Sequence, residues 1–212
     1  MKLNKQIKLG NNSKSTFRTR RGLVATLVAA IGFGGAVVGD TFAGSMSSWG
    51  PKWTRNGELH LPNDYHSWVF LGSPLTPHAL NDGKAGFPEY HNVYIHPEAF
   101  KAYRKTGVFP EGTVLLKELQ LTMPGTNDDG SRVEASGRGF FPAARKGIDI
   151  SVKDSKRFKD TNGWGFFNFG HHAPPYAKTA VAASKEACAG CHIANAEDMV
   201  FTKFYSPILD AK

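Results

Sequence analysis

Thr113-Val114-Leu115-Leu116-Lys117-Glu118-Leu119 is the stretch that decides the fold class. A period of two puts Leu115, Lys117 and Leu119 on one face, and Val114, Leu116 and Glu118 on the other. Ile148 to Val152 alternates in the same way, with Ile148, Ile150 and Val152 inward and Asp149 and Ser151 opposite. Asn92 to Ile95 is a short strand, and Trp164 to Phe169 an aromatic one. Pro97 suits the first turn of a helix that carries Phe100 and Tyr103 on one side and stops at Gly107. Several short strands among few helices predict an α+β fold, mainly antiparallel β-sheet, with no internal repeat and no low-complexity tract.

The remaining segments are assigned by their punctuation. Residues 44–62, with Trp53 and Gly57, are expected to be a loop. Asn63-Asp64 is expected to cap a short helix through Tyr65, Trp68 and Val69 that ends near Gly72. Pro74, Pro77, Asn81-Asp82-Gly83 and Gly86-Phe87-Pro88 mark a long loop, and residues 123–139 a loop or hairpin. His171 to Pro175 is a connection. Ser184 is expected to cap a helical segment, and a last helix to run from Asp198 to Tyr205 until Pro207 stops it.

At the front, Lys2, Lys5, Lys8, Lys14, Arg18, Arg20 and Arg21 precede an uncharged stretch from Gly22 to Gly39, then Thr41-Phe42-Ala43. Basic, apolar and small-residue regions in that order predict a secretory leader over residues 1–43, cleaved after Ala43 and implying a periplasmic protein. The rival reading is a retained membrane anchor. The leader holds seven of the 26 basic residues and only Asp40 of the 18 acidic ones, leaving 19 and 17 in residues 44–212. A nucleic-acid footprint needs clustered basic residues within the folded domain, so nucleic acid is excluded as a partner. About 170 residues suffice for one domain with a real core.

Two cysteines in an exported chain would ordinarily form a disulfide. Here Cys188-Ala189-Gly190-Cys191-His192 has the sequence of c-type haem attachment. Two thiols three residues apart on a helical turn can reach two edges of one porphyrin, and the next residue turns its imidazole toward the iron. A zinc site would need further cysteine ligands, and a thioredoxin-like pair would need a βαβ setting; the sequence offers neither. The motif lies close to the C-terminus, so no long segment follows it to supply a second axial ligand. Met199 is too near to reach over the ring, and Met46 and Met123 lie in expected loops. His171 and His172 are the remaining candidates for a sixth ligand. A five-coordinate iron held by His192 is expected, and open coordination means ligand binding or catalysis more than electron transfer.

The haem motif followed by Asp198-Met-Val-Phe-Thr-Lys-Phe-Tyr205 resembles the C-terminus of the cytochrome P-460 family. Leu80-Asn-Asp-Gly-Lys-Ala85, Gly112-Thr-Val-Leu-Leu-Lys-Glu-Leu119 and Ser151-Val-Lys-Asp-Ser-Lys-Arg-Phe158 resemble it too, so the likeness runs from about Gly57 to Leu209. The resemblance implies a mainly antiparallel β domain, a homodimer and one haem c per chain. It also implies one of two activities. Some members oxidise hydroxylamine with a haem that carries an extra covalent bond from a lysine. Others, the cytochromes c′-β, lack that bond and bind gases such as nitric oxide.

Lys117 matches the cross-linking lysine. It leaves a face shared with Leu115 and Leu119, where an unpaired ammonium is costly; a bond to the porphyrin edge would remove that charge, and the alternative is a lysine on an edge strand that snorkels to keep its charge in water. Asp149 matches a distal carboxylate, usually glutamate, that would take protons from hydroxylamine; the alternative is a solvated strand face. His91 stands where some members have a distal arginine, and is either a proton relay or a surface imidazole. Phe87, Phe140 and Phe141 either wall the pocket or serve as core. The leading expectation is hydroxylamine oxidation to nitrous oxide or nitric oxide, with electrons passed to an external acceptor such as a soluble cytochrome c. The alternative is nitric oxide binding without turnover.

Overall fold

A computed structural model describes residues 49–211, so the leader read over residues 1–43 lies outside the described residues. Five strands form the central antiparallel sheet: β2 (Val69–Gly72), β3 (Tyr90–Ile95), β4 (Val114–Thr122), β7 (Pro142–Lys153) and β8 (Trp164–Asn168), in the order β2-β3-β4-β7-β8. Short strands β1 (Leu59–His60) and β9 (Thr179–Ala180) pair with each other, and β5 (Arg132–Glu134) with β6 (Gly137–Gly139) make the hairpin allowed for in residues 123–139.

The hydrophobic run of β4 explains its central place. Val114, Leu115 and Leu116 are all buried, because this strand has a core on each face. One core gathers Val114 and Leu116 with Ile148, Ile150, Val152, Phe167, Tyr65 and Trp68. The other gathers Leu115 with Val93, Ile95, Trp164, Phe166, Tyr103, Met199 and Ile208. The inward set Ile148, Ile150 and Val152 is as expected, and each buried aliphatic side chain contributes roughly 1.5–3 kcal/mol. Glu118, almost wholly buried on the first face, accepts a hydrogen bond of 2.6 Å from the Tyr65 hydroxyl and lies 3.6 Å from both Arg145 and His66. Burial and that carboxylate keep the Tyr65 phenol protonated far above its usual range.

Helix α1 (Pro97–Thr106) has the expected boundaries. Proline opens it, and Gly107 closes it at φ +70°, where its N–H donates to the Tyr103 carbonyl over 2.7 Å. Two expected helices are replaced. Residues 63–72 form only a single 3-10 turn (Tyr65–Ser67) before β2, since Trp68 turns extended and the β-favouring Val69-Phe70 pairs with Ile95 and Tyr94. Nor does a helix run from Asp198 to Tyr205. Asp198 and Met199 take φ of +43° and +62°, left-handed values that no right-handed helix accommodates. A 3-10 turn (Thr202–Phe204) follows, and Pro207 sits in the first turn of the short α3 (Ser206–Leu209), beginning a helix rather than ending one. The cysteine segment is helical as expected: a π turn (Lys185–Ala189) leads into α2 (Gly190–Asn195), but the Ser184 side chain makes no capping bond.

Candidate haem site

Strand register assembles the site on the face of Leu115. Antiparallel partners lie side by side on one face. One row across the sheet is therefore Val93, Lys117, Asp149 and Asn168, from β3, β4, β7 and β8. The neighbouring rows are Ile95, Leu115, Ser151 and Phe166 on one side, and His91, Leu119 and Gly147 on the other.

The attachment segment packs onto this face. Ala189 is buried in the second core, with Cys188 partly buried against it, and both cysteines are free thiols. The His192 ring lies between Phe166 and Phe201, with ring centres 4.5 and 4.9 Å away. Its Nδ1 is 2.7 Å from the Met199 carbonyl oxygen. A carbonyl can only accept, so Nδ1 carries the proton and Nε2 keeps a lone pair for a metal. Burial holds this imidazole below its ordinary proton affinity; the Met199 carbonyl opposes that, and the Lys117 charge adds to it. It is therefore neutral, as a ligand must be.

The turn that presents the Met199 carbonyl is held from β7 and β8. Lys153 Nζ lies 2.8 Å from Asp198 Oδ2, and the Trp164 indole N–H donates to Asp198 Oδ1 over 3.3 Å. The Met199 sulfur is buried and lies 3.7 Å from the Asn162 amide nitrogen. Met199 thus orients His192 through its backbone. The sequence offered only a weak signal for this, an aspartate that tolerates positive φ next to the haem motif.

Lys117 does leave an apolar face between Leu115 and Leu119, but its charge is paired: Nζ lies 3.0 Å from Asp149 Oδ2 and 4.7 Å from the centre of the Phe87 ring. Asp149 is not a solvated strand residue, since its side chain is only 24 % exposed. Asn168 Nδ2 donates to its Oδ1 over 2.8 Å, and His171 Nε2 lies 2.9 and 3.1 Å from its two oxygens. Burial pushes the Asp149 carboxyl up, but Lys117 and His171 outweigh that and hold it below the usual carboxylate range. Burial and Asp149 push the Cys188 thiol up, while Lys117 opposes them, so thiol, lysine and carboxylate share one electrostatic neighbourhood.

His91 is no surface imidazole. Its Nε2 is buried without a hydrogen-bond partner, and the Phe87 ring meets its own edge-on at 5.8 Å. Burial and the Lys117 charge hold it below its ordinary value, against the opposing pull of Glu89. Glu89, unremarked in the sequence, is 3 % exposed; Lys146 binds its Oε1 over 2.7 Å, and its Oε2 has no partner. Phe87 thus joins the site. Phe140 and Phe141 serve the junction of β6 and β7, where the Tyr90 hydroxyl donates to the Phe140 carbonyl over 2.5 Å. His172 pairs with the Ala173 carbonyl over 2.7 Å.

These residues suit a haem. Two free thiols and a neutral imidazole with an available lone pair stand beside an apolar row, and buried polar atoms of Glu89 and His91 lie on β3 and the residue just before it. No curated protein matches the chain. The Cytochrome P460 family matches it over residues 62–202, which takes in every residue of this site, and the chain therefore belongs to the cytochrome P460 family of haem oxidoreductases.

Proposed function

We propose that this chain is an exported mono-haem c-type oxidoreductase that oxidises hydroxylamine to nitrous oxide or nitric oxide in the periplasm. The observation that carries the reading is the pairing of Lys117 with Asp149 at 3.0 Å, on the sheet face against which His192 packs. Cys188 and Cys191 would anchor the haem through thioethers, and His192 Nε2 would hold its iron. The haem would supply a metal able to bind the substrate and accept its electrons, to be passed to an external acceptor such as a soluble cytochrome c.

Oxidation of hydroxylamine releases protons and electrons in equal number, and the protons need a base. Asp149 is that base, a general-base role for a carboxylate facing the substrate. In the ion pair it is a weak one, because the ammonium beside it stabilises the carboxylate. A bond from Lys117 nitrogen to the porphyrin edge would remove that ammonium and strengthen the base. The cross-link and the proton chemistry are thus coupled through a single contact. Neutral His91 and the unpartnered oxygen of Glu89 would orient the small substrate.

A second reading is nitric oxide binding without turnover in a homodimer of the c′-β kind. It is favoured by the Phe87 ring over Lys117, an aromatic cap of the sort that restricts a pocket to gases. Mass spectrometry of a protease digest of the haem-loaded protein separates the two. A Lys117 peptide that stays joined to the haem peptide of Cys188 and Cys191 is expected for the enzyme. Separate peptides in fully loaded protein would refute it and give gas binding first place.

A further inference from the structure

His171 lies just beyond β8, on a connection that the sequence leaves without a role in proton chemistry. Its ring reaches both oxygens of Asp149, at 2.9 and 3.1 Å, while its side chain remains 41 % exposed. Asn168 also meets both Asp149 and water, but its amide does not ionise; of the two ionisable side chains paired with Asp149, His171 is more exposed than Lys117, at 41 % against 28 %.

Two further features build this contact. Asn168 links the connection to the carboxylate: its amide nitrogen donates to Asp149 Oδ1, and its amide oxygen accepts from the Gly170 N–H over 3.0 Å. Gly147, one row along the same face, makes room. A Cβ there would lie 2.9 Å from the Gly170 carbonyl oxygen, 3.0 Å from His171 Cδ2 and 3.3 Å from His171 Cα. Any side chain at 147 would push residues 170 and 171 off the sheet. The turn itself needs Gly170 at φ +120°, where a Cβ would collide with the His172 ring.

We propose that His171 is the proton-exit residue of the site, passing to water the protons that Asp149 collects. The proposal rests on the hydroxylamine reading above. In each passage, the carboxylic proton of Asp149 moves to His171 Nε2 and the proton on Nδ1 leaves to solvent. The ring's charge is unchanged and the carboxylate is restored; the electrons released with the protons go separately to the external acceptor. Tautomer exchange through solvent, open to a ring this exposed, then returns the proton to Nδ1 and the lone pair to Nε2. Imidazole suits this task because one ring nitrogen can take a proton while the other releases one. His171 is a positioning residue in that it acts through Asp149. The titratable groups facing Asp149 are Lys117 from β4, His91 from β3, His171 itself and the Cys188 thiol, which a thioether would remove from titration.

The test compares haem-loaded wild type with His171→Gln, which can hydrogen-bond but not carry a proton, and with His171→Ala. In His171→Gln, kcat for hydroxylamine should fall roughly tenfold or more with KM within about twofold. Added imidazole buffer should restore turnover in His171→Ala in proportion to its concentration. A second readout needs no turnover: the infrared band of the protonated Asp149 carboxyl, assigned by its loss in Asp149→Asn. Its titration should move up by roughly half a pH unit or more in His171→Gln, because one of the groups holding Asp149 ionised is gone. Wild-type kcat and pH profile in His171→Gln would overturn the relay, as would an unmoved infrared titration. A wild type inert to hydroxylamine would instead refute the function proposed above. In that event the infrared shift alone decides whether His171 governs the charge of Asp149.

Discussion

Replacing Asp198 by alanine weakens the turn that orients His192 in three ways at once, and their sizes follow from the contacts. The Trp164 indole N–H, on a ring with no exposure, loses its acceptor, and an unsatisfied buried donor costs about 1–3 kcal/mol. Lys153, whose side chain is 12 % exposed, loses its carboxylate; Asp198 is itself 39 % exposed, so screening limits this loss to about 1 kcal/mol. Alanine at φ +43° adds about 1 kcal/mol that aspartate largely avoids. The total is roughly 3–5 kcal/mol. Asp198→Asn keeps the acceptor for Trp164 and tolerates positive φ, so it should lose only the ion pair, about 1 kcal/mol. Urea unfolding of the haem-loaded proteins measures both, and the gap of about 2 kcal/mol or more should separate their midpoints by roughly 4–8 °C in a thermal melt. Because the Met199 carbonyl orients His192, the alanine variant alone should also alter the ferric haem spectrum. Equal stability of the two variants, within about 0.5 kcal/mol, would refute the claim that backbone conformation and the indole bond hold this turn.

Other expectations follow from the same geometry. Asp149→Asn should lower kcat for hydroxylamine by roughly a hundredfold while leaving substrate binding to the ferric protein, read from the haem spectrum, nearly unchanged. Before any cross-link forms, the Asp149 carboxyl titrates below its unfolded value, so its contribution to stability is present above that value and lost as pH falls through the folded one. Denaturation of the cross-link-free protein should therefore show wild type losing more stability than Asp149→Asn below about pH 4, and parallel curves would count against the pairing. Gly107→Ala, at φ +70° with open space around its Cβ, should cost about 1 kcal/mol by urea unfolding and leave haem loading intact.

The paired charges give the site a property that a list of its residues does not. Lys117 and Asp149 compensate each other across adjacent strands, so the apolar face tolerates both. Any chemistry that consumes the lysine charge leaves Asp149 with His171 and Asn168, and of these two exposed partners only His171 is ionisable. In the proposed reaction, protons would then leave through His171 toward solvent.

Some of this was legible from residues alone. The alternation in residues 113–119 and 148–152 set two strands and their faces, because the strand period is fixed by backbone geometry. Proline at 97 and glycine at 107 bounded α1 for equally local reasons. The spacing of Cys188, Cys191 and His192 marked them as candidates for haem attachment, since thioether attachment requires that pattern. Other features depended on partners distant in the chain. Residues 69–72 became a strand because β3 offered an edge to pair with, which outweighed the helical punctuation before them. Asp198 and Met199 left the helix to turn a carbonyl toward His192, a demand set by packing against Trp164 and Lys153. The pairing of Lys117 with Asp149 was a matter of register between β4 and β7, and the approach of His171 depended on a glycine more than twenty residues earlier. Local pattern therefore determined which residues could do chemistry, and long-range register determined which of them meet.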